Sequence, residues 1–264
     1  MTSIAKQAGM LFDKYYWQTA VLIARNGLAR MYRNSFLGML WTLFQPLTMV
    51  LVYALVMPMI MRSTAQNYTL YLLVSQPLWV FISGCIAGSC GSILANGEVL
   101  KRCMVSSSIF PIADVLRSCY TFAVSFVTMY IVALLMGLTH ISLMLLVVPF
   151  YILAMLMVLG AVAIAVAFVA PYVRDIGDIV HIGLTMSFWF TPVIYQIQML
   201  PPKIQFFMQF NPFFILMHPI QVLVYENRLP SWSDNLYLLG LIAVVVPLAF
   251  AVFRVCRRNY VYYL

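Results

Sequence analysis

Long apolar runs separated by short clusters of charge divide this chain. No Asp, Glu, Lys or Arg occurs between Arg33 and Arg62, or between Arg62 and Glu98. The interval from Arg117 to Arg174 has the same character, with Gly137-Leu138-Thr139-His140 as its one turn-like break. Further charge-free runs extend from Asp178 to Lys203, from Lys203 to Glu226 and from Asp234 to Arg254. A helix crosses a bilayer when about 20 mostly apolar residues satisfy their own backbone groups inside hydrocarbon. The pattern therefore predicts an all-α integral membrane protein with spans at about 36–61, 69–94, 118–136, 141–170, 179–198 and 235–253.

The run from Lys203 to Glu226 is interrupted by Pro212 and Pro219, and Asn211-Pro212 has the pattern of an N-cap followed by proline at the first helical position. Counting basic residues decides whether it crosses. With six spans, one side holds Lys6, Lys14, Arg25, Arg30, Arg33, Lys101, Arg102, Arg117, Arg174, Arg254, Arg257 and Arg258, and the other only Arg62, Lys203 and Arg228. The positive-inside rule makes the first side cytoplasmic and puts both termini there. A seventh crossing would export the C-terminal arginine cluster. Residues 200–225 are therefore expected to form a helical hairpin that enters from outside without crossing.

Ahead of the first span, Lys14, Gln18, Thr19, Arg25, Asn26, Arg30 and Arg33 fall within roughly 160° of a helical wheel, with Tyr16, Trp17, Ala20, Val21, Ile23, Ala24, Leu28 and Met31 opposite. Residues 14–33 are read as an amphipathic helix in the cytoplasmic interface, serving as an anchor or as a docking surface. Pro46, Pro77, Pro149, Pro192 and Pro247 fall inside predicted spans, where kinks are expected. No linker, repeat or low-complexity segment divides residues 1–264, which are read as a single transmembrane domain.

Composition agrees with this picture: 64% of residues are hydrophobic and 8% charged, against about 25% charged in soluble domains. The net charge of +8 is accounted for by basic residues against anionic lipid headgroups, with no nucleic-acid partner. The cysteines, Cys85, Cys90, Cys103, Cys119 and Cys256, have no metal-ligand spacing and are expected to be free thiols. No cleavable signal peptide is read in residues 1–13, so the first span is the expected insertion signal.

The predicted spans hold no Asp, Glu, Lys or Arg, with His181 near one end, which weakens an ion-coupled carrier. His140, His181 and His218 have no acid or metal-ligand partner at useful spacing. Asp175 and Asp178 are best read as a dipole-favourable helix start beside Arg174. No Gly-Lys pair occurs, so the chain has no GxxxxGK[ST] loop for ATP. What remains is a conduit whose energy comes from a cytoplasmic partner. The segment Asn96–Arg102 is either the handle for that partner, as a short charged helix parallel to the membrane, or a positive-inside loop.

Tyr32-Arg33-Asn34-Ser35-Phe36-Leu37-Gly38-Met39-Leu40-Trp41 with Gln45-Pro46-Leu47 resembles the start of the first span in ABC type-2 polysaccharide exporter permeases. Val173-Arg174-Asp175-Ile176-Gly177-Asp178-Ile179-Val180, Trp189-Phe190-Thr191-Pro192-Val193-Ile194-Tyr195, Leu200-Pro201 and Asn211-Pro212-Phe213 are similar to that family's fifth span and external hairpin. Gln76-Pro77-Leu78-Trp79, Asn96, Leu100-Lys101-Arg102 and Ile109-Phe110-Pro111 extend the resemblance over nearly the whole chain. Many members carry an Arg about ten residues after the Asn-Pro motif, where this chain has His218-Pro219-Ile220-Gln221.

The resemblance implies a homodimer paired with two copies of a cytoplasmic ATP-binding cassette subunit. Such a complex would export lipid-linked O-antigen, capsular polysaccharide or teichoic acid across the cytoplasmic (inner) membrane. ATP and Mg would be bound by the partner, with no cofactor in this chain. By resemblance, Asn96, Glu98, Lys101, Arg102, Arg174 and Asp175 would couple to the ATPase. Pro201, Asn211 and Pro212 would belong to an external gate at 200–225. Because sugar C–H faces stack on aromatic rings, Trp41, Phe188, Trp189, Phe190 and Tyr195 are the candidate channel lining, with an interfacial belt as the other role for each. Two other functions stay open: export of a small hydrophobic drug or lipid, and a polyprenyl-sugar enzyme using Asp175, Asp178 or Glu226.

Overall fold

A computed structural model of the chain describes residues 14–32, 38–41, 44, 47–52, 55–56, 68–102, 105–258 and 260. All regular structure among the described residues is helical: α1 (Lys14–Tyr32), α2 (Tyr68–Cys90), α3 (Ser92–Ala95), α4 (Gly97–Arg102), α5 (Ile109–Leu135), α6 (Val148–Val169), α7 (Ile176–Phe190), α8 (Pro202–Met208), α9 (Pro212–Tyr225) and α10 (Trp232–Cys256), with three short 3-10 turns. Among the described residues, four helices are long and apolar enough to cross a membrane: α2, α5, the stretch Leu143–Val169 containing α6, and α10. The pair α8 and α9, bent by 100°, makes a fifth if counted as one span.

The expected span at 36–61 lies largely outside the described residues. Two other expectations need correction. The run at 179–198 is not one helix, because α7 has 15 residues and ends at Phe190. Proline disfavours the helical conformation in the residue before it. Thr191, which precedes Pro192, is accordingly extended, with φ −109° and ψ 139°. Pro192 thus ends a helix rather than kinking one. The span expected at 118–136 begins earlier, since Pro111 is tolerated in the first turn and the helix runs from Ile109. Asp114 and Arg117 therefore lie inside α5, paired i,i+3 at 3.0 Å, so a long helix does carry ionisable groups. The break at Gly137 is as expected. Its φ of +68° and the bonds from Gly137 N to Leu134 O and from Leu138 N to Ala133 O close α5 in a Schellman motif.

α2 is the central helix, with Leu72, Leu78 and Ile82 fully enclosed. It packs most extensively against α5, where Phe81 stacks on Phe122 at 4.7 Å, and also against α6, α7 and α9. α10 packs on α6 and leaves Leu236, Leu239, Val244, Leu248 and Val255 exposed, a face suited to lipid. α1 lies along α5 through Tyr16, Ala20 and Ala24, spaced at four residues on one stripe. Lys14, Gln18, Arg25, Asn26 and Arg30 stay exposed, as the wheel requires, but so do Val21, Leu22 and Met31. The apolar face of α1 is thus divided between its own chain and the surroundings.

Side-chain contacts sort the connections to two ends. At one, the Tyr16 hydroxyl bonds Ser108 Oγ at 3.0 Å, Tyr172 donates to Cys256 O at 2.6 Å, Tyr260 bonds Ser107, and Phe168 meets Phe253 and Tyr260. Burial pushes the Tyr16 hydroxyl above its ordinary pKa, so it acts there as a neutral group. At the other, Tyr130 donates to His140 O at 2.9 Å, Tyr151 to Asn235 Oδ1 at 2.7 Å and Tyr237 to Gln209 Oε1 at 3.1 Å. The grouping of α1, the segment 91–108, the turn 170–175 and the end of α10 is the one that the basic residues required.

Because Ala20 is completely enclosed between α1 and α5, Ala20→Leu should destabilise the protein by about 1–3 kcal/mol through overpacking. Thermal unfolding of the purified protein in detergent checks this, with Val21→Leu, on the exposed side, expected to be near neutral.

Candidate functional site

α7 stops among apolar neighbours, and the backbone groups freed at its end must find partners. Three side chains from elsewhere supply them. Tyr68 donates to Ile194 O, and Tyr71 to Pro192 O. Gln221 of α9 directs its amide at Pro192 O (3.2 Å), Ser75 Oγ (2.8 Å) and the Tyr71 hydroxyl (3.3 Å). Thr191 through Ile194 are buried, as are Ser75 and Gln221. Gln196 Nε2 then donates to the Tyr225 hydroxyl at 2.7 Å. The segment after α7 is a fixed, polar-lined break held jointly by α2 and α9.

Asn211 completes the arrangement. Its carbonyl oxygen accepts from Phe213 N at 3.0 Å and Phe214 N at 3.4 Å, the N-cap predicted from Asn-Pro, with Pro212 opening α9. Its amide donates to Phe190 O at 3.2 Å and Thr191 Oγ1 at 3.1 Å. One side chain thus fixes both the start of α9 and the end of α7. Pro201 precedes α8 in the N-cap position, with φ −57°.

The candidate aromatic residues occupy different surroundings. Phe188 packs on Trp79 of α2, with ring centres 5.6 Å apart, and Trp79 also meets Phe213 of α9 at 5.5 Å. Tyr195 is half-buried and donates to Trp189 O at 3.1 Å. Trp41, Trp189 and Phe190 are exposed, the last at 64%. α7 as a whole buries only Leu184, so Ile179, Ile182, Met186, Trp189 and Phe190 form an apolar surface that the single chain does not cover.

At the opposite end, Asn96 caps α3 and donates to Ser92 O at 2.7 Å, and α4 follows immediately as the short charged helix. Glu98 and Arg102 pair at 3.3 Å with both side chains largely exposed, and Lys101 is exposed beside them. Arg174 and Asp175 lie exposed before α7, with Asp175 in the N-cap position and Asp178 in the first turn. Behind α4, a cavity of about 670 Å³ is lined by Gly27 and Arg30 of α1, by Gly88, Gly91 and Asn96, and by Asp114 and Arg117. Cβ atoms added at Gly27 and Gly88 would stand 3.6 and 3.5 Å from the two terminal nitrogens of Arg117, so its guanidinium lies against both backbones. Cys85, Cys90, Cys119 and Cys256 are free thiols, and Cys103 lies outside the described residues. Among the described residues no group of three His, Cys, Asp or Glu could hold a metal.

The sequence reading did not single out Tyr68, Tyr71, Ser75 and Gln221. A signal was present, since Ser75 and Gln221 are polar residues inside apolar runs, and buried polar groups in such runs have assigned partners.

Residues 18–225 match the family described as ABC-2 type transporter. The chain belongs to that family. It is 24% identical over 236 residues to an O-antigen export system permease protein RfbA of Klebsiella pneumoniae, covering 89% of this chain and 91% of the relative. It is 27% identical over 244 residues to the protein of the same name from Myxococcus xanthus, covering 90% and 92%. These matches to the ABC-2 family extend the resemblance seen in the motifs to nearly the full length of both partners. They make this chain a multi-pass permease of ABC-2 type.

Gln221→Ala should leave Ser75, Tyr71 and Pro192 O with fewer partners in a buried setting, at about 1–3 kcal/mol. Asn211→Ala should cost about 1 kcal/mol for the cap alone and more if the bonds to Phe190 and Thr191 are also lost. Thermal unfolding compares the two, and susceptibility of the 191–211 segment to protease should rise in both variants.

Proposed function

We propose that this chain is the membrane-spanning subunit of an ATP-driven exporter that moves a lipid-linked polysaccharide outward across the cytoplasmic membrane. The observation that carries the reading is the similarity, over nine-tenths of both chains, to relatives named as O-antigen export permeases. Two copies of the chain form the conduit, and the uncovered apolar face of α7 supports such pairing. Two copies of a cytoplasmic ATP-binding cassette subunit bind ATP and Mg and dock against α4, with Arg174 and Asp175 nearby in function.

The topology is six crossings with both termini cytoplasmic. α8 and α9, joined at the Asn211 cap, form a re-entrant hairpin on the outer side, and the exposed aromatics Trp41, Trp189 and Phe190 face the conduit or the partner copy. The distribution of basic residues supports this orientation, since the end of the bundle that carries α1, α4 and the end of α10 is the basic one.

Cells lacking the native permease but retaining glycan synthesis should regain surface polysaccharide when this chain and its ATPase are supplied together, and neither alone should suffice. Surface staining with a glycan-specific antibody reads this out; recovery of drug resistance in place of surface glycan would contradict it. Lys101→Glu combined with Arg102→Glu should reduce copurification of the ATP-binding subunit at least fivefold, while leaving the permease in the membrane. Full retention of the partner by the double variant would refute the role given to α4. Alkaline phosphatase fused after Leu264 should be inactive and fused after Lys203 active.

A further inference from the structure

At the outer end, a second cavity of about 250 Å³ lies between the hairpin and the start of α10. Its lining is polar for so apolar a chain. Gln198, Gln205 and Gln209 line it, together with Glu226, Asp234 and Tyr237. Two of the seven carboxylates in the whole chain therefore meet here. We propose that this cavity is a saccharide site, holding one sugar ring of the glycan on the exit side; the proposal rests on the reading of the chain as a glycan exporter.

The hydrogen-bonding capacity of the lining argues for a polyhydroxylated ligand. Gln205 spends its amide on Leu200 O at 2.7 Å, which leaves its carbonyl oxygen. Gln209 accepts from the Tyr237 hydroxyl at 3.1 Å, which leaves its amide. Among the described residues no hydrogen bond engages Gln198. The space thus offers both donors and acceptors, as vicinal hydroxyls, each both donor and acceptor, require. A phosphate or carboxylate ligand would instead meet Glu226 and Asp234 across the cavity. Arg228 does not offset them for such a ligand, because it is already paired with Glu226, and His218 lies 3.8 Å from Asp234. Phe214 and Tyr237 add ring surface for the apolar C–H face of a pyranose. The size selects further, since drug-sized ligands occupy roughly 300–1,000 Å³, and a single ring fits the smaller space.

Position gives the site a consequence for transport. Gln205 belongs to the hairpin's first arm, Gln209 to its bend, His218 and Glu226 to its second arm and its end, and Asp234 and Tyr237 to α10. A bound sugar would bridge the hairpin to a spanning helix and hold the outer end in one arrangement while chain passes.

The test uses the purified full-length permease in lipid nanodiscs and saturation-transfer difference NMR with the methyl pyranosides of glucose, galactose, mannose, rhamnose and N-acetylglucosamine. At least one should receive saturation from the protein, and Gln209→Ala and Tyr237→Phe should each weaken its apparent affinity threefold or more. Ser233→Ala, outside the cavity lining, should not. Absence of transfer to every pyranoside, or equal transfer in wild type and both variants, would overturn the site. If an exporter containing the variants still delivers surface glycan while sugar binding is unchanged, only this site fails. If the wild-type exporter delivers no glycan in complemented cells, the reading beneath it fails.

Discussion

The arrangement turns on one constraint: backbone groups released where a helix breaks among apolar neighbours must be met by other parts of the protein. The break after Phe190 is the main place where this chain faces that demand. Pro192 sits at the break, with Thr191 before it extended, and Tyr68 and Tyr71 of α2 together with Gln221 and the cap residue Asn211 of α9 meet it. Those bonds tie α2, the end of α7 and α9 into one unit. The hairpin is therefore not a loose external loop. Its inner arm is as deeply enclosed as the central helix, with Met217, Ile220 and Leu223 scarcely exposed.

The two arms of the hairpin divide accordingly. α9 buries ten of its fourteen residues, whereas α8 buries none and exposes Ile204, Phe206 and Phe207. A movable element attached to a fixed one at a capped proline would have this composition, and the 100° bend at Gln209–Asn211 is where the two meet. Exposed aromatic residues beside Lys203 suit the headgroup level of a bilayer, where rings and a snorkelling amine are both accommodated.

Much of this was legible in the sequence, and the reasons for the failures are physical. Charge-free runs located α2, α6 and α10 within a few residues, and the Asn-Pro and Gly137 signals placed a cap and a helix end correctly, because these depend on local chemistry. The length of α7 was misjudged because hydropathy does not register a proline that ends a helix between two apolar stretches. The start of α5 was missed for the opposite reason. Asp114 and Arg117 look like loop residues when a charge marks a boundary, yet an i,i+3 pair half-covered by α1 is tolerated inside a helix. The partners of the break were beyond reach. Tyr68 and Tyr71 lie more than 120 residues from the carbonyls that they bind, and nothing local to either tyrosine signals that contact.

α2 connects the two regions to which function is assigned. Its first turn carries Tyr68 and Tyr71, which hold the break after α7. Its last turn leads through Gly91, α3 and the Asn96 cap into α4 within a dozen residues. A helix of 23 residues spans about 34 Å, close to the roughly 30 Å hydrocarbon core. Tight enclosure by α5, α6 and α9 resists bending over that distance, although Pro77 removes one internal bond in its first half. A push delivered to α4 by the proposed partner would have a short route to the residues that fix α9, whereas α7, which buries only Leu184, has fewer contacts with which to resist. Transmission along the best-packed helix requires no charged relay within the membrane, which agrees with the ion pair of Asp114 and Arg117 in α5 lying beside Gly27 and Gly88 at the α4 end.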